Sequence, residues 1–107
     1  MANSFKNAGI QVTTNRTTLY TCPAETAAVI HALYISNVDG VNEATVDIEI
    51  TVDGGTTYRY IGKTLSVPED STLVLDKPLN LEANDILAIT ASVAGDIDAV
   101  CSILEIT

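Results

Sequence analysis

The chain has 107 residues, the length of one domain with one core. Apolar residues make up 47% and charged residues 18%, which excludes a disordered tail. Five Lys and Arg against fourteen Asp and Glu leave a net charge of −9, and such a surface repels phosphates, so no nucleic-acid partner is expected.

Residues 1–17 are mostly polar around Phe5, Ile10 and Val12, and fit either an N-terminal arm or an edge strand. No apolar run follows Lys6, so a secretory signal is not expected. Residues 18–22 form a short strand ended by Pro23, and residues 26–38 a longer one with Val29, Leu33 and Ile35 on one face. The apolar part of that run is far shorter than the roughly 20 residues of a membrane span, so no membrane partner is expected. Over residues 44–52, Val46, Ile48, Ile50 and Val52 alternate with Thr45, Asp47, Glu49 and Thr51, the pattern of a strand with one wet face. Asp53-Gly54-Gly55 then supplies a turn, and Thr57-Tyr58-Arg59-Tyr60-Ile61 completes a hairpin. Short strands follow at residues 71–75 and around Leu79 and Leu81. Residues 86–93 are apolar enough to be buried on both faces, and residues 99–106 alternate again, with Val100, Leu104 and Ile106 opposite Cys101 and Ile103.

About eight short strands with frequent turn signals, and no stretch of helical period, predict an all-β, antiparallel, jelly-roll-like β-sandwich over residues 18–107. The expected core is Val46, Ile48, Ile50, Leu87, Ile89, Leu104 and Ile106.

Chemistry is harder to find. Gly62-Lys63-Thr64 resembles the end of a phosphate-binding loop, but Thr57 stands where that motif requires its earlier glycine, and no helix follows. His31 is the only histidine, and its flanks Ile30 and Ala32 mark a strand rather than a catalytic loop. Cys22, His31 and Cys101 lack the close spacing of a zinc site, and the two cysteines fit buried small hydrophobes, with one disulfide as the alternative. Acidic pairs such as Asp39 with Glu43, Glu69 with Asp70, or Asp96 with Asp98 are the only candidates for a divalent ion. No catalytic residue, no cofactor and no enzyme activity are therefore expected. The candidate interface residues are Phe5, Ile10, Val12, Tyr20, Tyr34, Tyr58, Arg59 and Tyr60, because aromatic residues and arginine are enriched in protein contacts.

Leu19-Tyr20-Thr21-Cys22-Pro23-Ala24, then Ala28-Val29-Ile30 and Leu33-Tyr34-Ile35-Ser36-Asn37, then Thr51-Val52-Asp53-Gly54-Gly55, resemble small β-sandwich virion proteins of tailed bacteriophages. Residues 67–75 and 81–87 fit the same pattern, so the resemblance covers residues 18–107. It implies a non-enzymatic structural protein of the virion, assembled in the host cytoplasm. The role implied first is a capsid decoration (cement) protein, a homo-oligomer bound to the major capsid protein or another virion protein. A neck, tail or baseplate component of the same particle is the closest alternative, and a carbohydrate- or calcium-dependent binding module the next.

Overall fold

The computed structural model describes residues 2–107 and contains nine strands in two antiparallel sheets. They are β1 (Asn3–Val12), β2 (Thr17–Thr21), β3 (Ala27–Asn37), β4 (Ala44–Thr51), β5 (Arg59–Val67), β6 (Thr72–Leu75), β7 (Leu79–Leu81), β8 (Ile86–Ala91) and β9 (Ile97–Ile106). The first sheet has the order β1-β9-β3-β6, with β7 also paired to β3, and the second the order β2-β8-β4-β5. Apart from the β4–β5 hairpin and the β6–β7 edge, successive strands alternate between the sheets, which is the jelly roll. The ninth strand arises because Asp76-Lys77-Pro78 splits one edge into β6 and β7, both on β3.

The core between the sheets is built from Ile35, Ile48, Leu81, Leu87, Ile89, Ile97 and Ile103. In β4 the expected alternation holds for Val46 and Ile48, which are buried, and Ile50 packs partly against the core. Val52, expected on the same face, is exposed because the strand ends at Thr51. The buried Thr51 hydroxyl donates to Asp53 Oδ1 at 2.8 Å and accepts from the Gly55 amide at 3.1 Å, so this residue is committed to the turn.

One of the expected faces is reversed and another is split. Leu104 and Ile106 lie on the outer side of β9, while Ile97, Ala99, Cys101 and Ile103 face the core. Both faces of this strand are apolar, and the inner one ends in Glu105, whose charge reads as solvent-facing in the sequence. In β3 a bulge at His31, between Ile30 and Ala32, shifts the alternation by one residue. Ile30 therefore shares the inner face with Leu33 and Ile35, and Val29 points outward.

β1 pairs with β9 residue for residue, from Asn3 opposite Ile106 to Val12 opposite Ile97. Ala2 and Thr107 extend the ladder by two backbone hydrogen bonds at 2.9 and 3.0 Å. Met1 of the segment 1–17 lies outside the described residues. Buried Asn37 ties three parts of one end together: its side-chain amide donates to the carbonyls of Asn42 and Val67, and its oxygen accepts from the Asp39 amide.

Candidate functional site

Register and alternation place Phe5, Asn7 and Gly9 of β1, Val100, Ser102 and Leu104 of β9, Val29, Ala32 and Tyr34 of β3, and Val74 of β6 on the outer side of the first sheet. Phe5 is 81% exposed, and Val74 and Val100 are close to half exposed. The Phe5 ring stacks on His31, the bulge residue of β3, with 6.5 Å between centroids and 25° between planes. In a chain with fourteen carboxylates, the strand residues of this face contribute only one, Asp98, at the end beside Gln11 and Ser36.

The other candidate residues do not join Phe5 and Tyr34 there. Val12 is fully buried and Ile10 packs against the core, because even-numbered residues of β1 point inward where Phe5 points outward. Their apolar surface serves the domain itself, which corrects their assignment to a contact surface. Tyr20 closes one side of the sandwich: its hydroxyl donates to Glu105 Oε2 at 2.5 Å, while Lys6 Nζ approaches Glu105 Oε1 at 2.9 Å. Those two donors hold the buried Glu105 carboxyl below its ordinary range, while burial, followed by the bond to Glu105, pushes the Tyr20 phenol up.

Tyr58, Arg59 and Tyr60 lie on the far edge of the second sheet. The Arg16 guanidinium sits 3.8 Å above the centre of the Tyr58 ring and forms two hydrogen bonds to Glu49, at 3.0 and 3.2 Å. Lys63 lies 5.5 Å from the Tyr60 ring. The two tyrosines thus help cover ionic groups of their own chain. Val29, Val74, Val100 and Leu104 complete the outer face of the first sheet, and composition alone does not single them out because they carry neither an aromatic ring nor a guanidinium. The signal that marks them is a strand apolar on both sides.

The residues considered for chemistry are dispersed. Gly62-Lys63-Thr64 forms a bulge in β5, where Thr64 has φ 53° and its amide donates to Asp47 Oδ1 at 2.7 Å. Cys22 and Cys101 are free and buried, and burial pushes the Cys101 thiol up to about 11, the opposite of an activated nucleophile. Asp39 and Asp96 do meet at one end of the sandwich. Backbone amides of Val41 and Asn42 hold Asp39 charged, while burial and the Asp39 charge raise Asp96. Among the described residues no group of three or more His, Cys, Asp or Glu is placed to hold a metal ion, and no helix is long and apolar enough to cross a membrane.

No protein-family model and no curated protein matches the chain. In fold it is similar to a chain from the acid-stable capsid of Helicobacter pylori bacteriophage KHP30, with 14% identity, a TM-score of 0.56, and coverage of 98% of this chain and 87% of that one. It is also similar to a chain from the disulfide-linked pili of Bacillus endospore appendages, with 14% identity, a TM-score of 0.57, and coverage of 99% and 87%. A chain of the T13 IBDV viral particle gives a TM-score of 0.59 at 12% identity, and there the match covers 96% of this chain but only 30% of the viral protein. At such identities the likeness is one of fold alone, here the antiparallel β-sandwich of two sheets.

Proposed function

We propose that this chain is a non-enzymatic structural protein of a bacteriophage virion, a decoration protein that binds the head surface and associates with copies of itself through the outer face of the first sheet. The observation that carries this reading is that face: nearly free of charge, with Val29, Tyr34, Val74, Val100 and Leu104 among uncharged polar residues such as Asn7 and Ser102, and topped by an 81% exposed phenylalanine on a chain of net charge −9. Contiguous exposed apolar surface of this kind marks association sites in soluble proteins. Two copies of so acidic a chain repel each other except where the acids are missing, so the second copy docks on this face. Association edge to edge is disfavoured at β1, because the inward-pointing Lys6 guards that edge against strand addition. The fold likeness to a phage capsid chain supports the virion as the setting.

The test is reconstitution. Purified protein is added to phage heads that lack it, and bound copies are counted by quantitative mass spectrometry alongside survival of heat and osmotic shock. Saturable binding of many copies per head, with improved survival, is the expected result. No binding to heads, with copies found only at the neck or tail of native particles, overturns the decoration role in favour of a neck or tail component.

A further inference from the structure

A second feature lies on the opposite side of the molecule from β1, where the two sheets part between β5 and the β6–β7 edge. There a cavity of ≈ 330 Å³ opens from the surface into the core. Ile48 and Leu87, both fully buried, lie just beneath its floor, and its accessible walls include Ile61, Leu75 and Leu79. The opening follows from the fold: Asp76-Lys77-Pro78 loops out between β6 and β7, so β3 loses its edge partner between Leu33, paired with Leu75, and Ile30, paired with Leu79. An apolar pocket of this kind, open at the surface, accepts apolar guests. Its volume falls in the range of small-molecule sites.

The mouth carries Lys77 with Asp76 beside it. Lys6 and Arg16 are engaged by Glu105 and Glu49, whereas Lys77 makes no ion pair among the described residues. It therefore presents a cation without an ion pair at the edge of an apolar pocket. We infer that this cavity binds a single-chain fatty acid, its alkyl chain laid along Ile61, Leu75 and Leu79 above the buried Ile48 and Leu87, and its carboxylate on Lys77. The site does not depend on the assembly role proposed above, since it shares no wall with the outer face except Val74 at its rim.

Titration of the methyl-labelled protein with sodium dodecanoate, dodecylammonium and dodecanol, followed by NMR, tests the inference. Dodecanoate is expected to shift the Ile48 and Leu87 methyls saturably at one molecule per chain, to bind more tightly than dodecylammonium, and to raise the melting temperature. Lys77→Glu is expected to weaken dodecanoate by roughly tenfold while leaving dodecanol unchanged. Ile61→Trp, at an exposed rim position, is expected to block all three ligands without lowering the melting temperature of the free protein. Shifts confined to Val100 and Leu104, shifts that never saturate, equal affinity for dodecanoate and dodecylammonium, or undiminished binding to Ile61→Trp would each overturn it.

Discussion

The two outer faces of the sandwich are made from strands of similar length and register, yet they carry opposite chemistry. On the second sheet, Asp47 accepts the Thr64 amide and Glu49 is clamped by Arg16 beside the Tyr58 ring, so both carboxylates find partners within the chain. On the first sheet the corresponding positions are Phe5, Val29, Tyr34, Val100 and Leu104, with no ion pairs on that side among the described residues. A solvated face needs only local partners for its charges, whereas an apolar face without a cover requires another molecule to remove it from water. The contrast separates a surface finished within one chain from one that, on the proposed reading, is finished by assembly.

The largest expected effect tests whether Leu104 belongs to that outer face or to a core. Leu87→Ala should cost about 2–5 kcal/mol in urea unfolding, because it opens a void in a close-packed interior. Leu104→Ala, measured at dilution where the chain is monomeric, should cost under about 1.5 kcal/mol and lower the tendency to associate. Equal costs would erase the distinction between the two faces.

Next comes the polar clasp that joins the sheets beside β1. Tyr20→Phe leaves Glu105 with Lys6 alone and should destabilise by about 1–2 kcal/mol. Because the folded Glu105 pKa is lowered, its contribution is fully present above the unfolded glutamate value of about 4.3 and is lost as pH falls through the lower folded value. Urea unfolding from about pH 6 down to about pH 2 should therefore show a shallower acid loss in the variant than in the parent.

Two smaller changes lie away from the apolar face and serve as controls on it. Thr64→Gly relieves a β-branched residue at φ 53° and should stabilise by roughly 0.5–1 kcal/mol. Asp96→Asn removes a carboxyl whose folded pKa is raised, a group that costs stability once pH rises through that value; the melting temperature should rise slightly at neutral pH and stay unchanged in acid. Neither change should alter native mass. A shift in mass with either would spread the association surface beyond the outer face.

Much of this is legible in the chain itself. The β4 alternation, the turn at Asp53-Gly54-Gly55 and the apolar run of β8 lead to the sandwich, and β4 and β8 do form the middle of the second sheet. Parity also separates Phe5 from Ile10 and Val12, which stand at odd and even positions of one strand and so on opposite faces. What alternation leaves open is which of two apolar faces is the inner one. In β9 that depends on a buried carboxylate finding Lys6 and Tyr20 from other strands, and in β3 on a bulge at His31 that no local residue type announces. The cavity is likewise a matter of three-dimensional fit, since it depends on residues 76–78 leaving an edge unpaired opposite Ile61.

On the proposed reading, the outer face of the first sheet joins copies of this chain. Light scattering of the parent beside Val100→Asp and, as a control on the opposite face, Thr45→Asp tests it most directly. An oligomer is expected for the parent and for Thr45→Asp, and a folded monomer with an unchanged circular dichroism spectrum for Val100→Asp. A parent that stays monomeric at all concentrations, or a Val100→Asp variant that keeps the parent's mass, would contradict it.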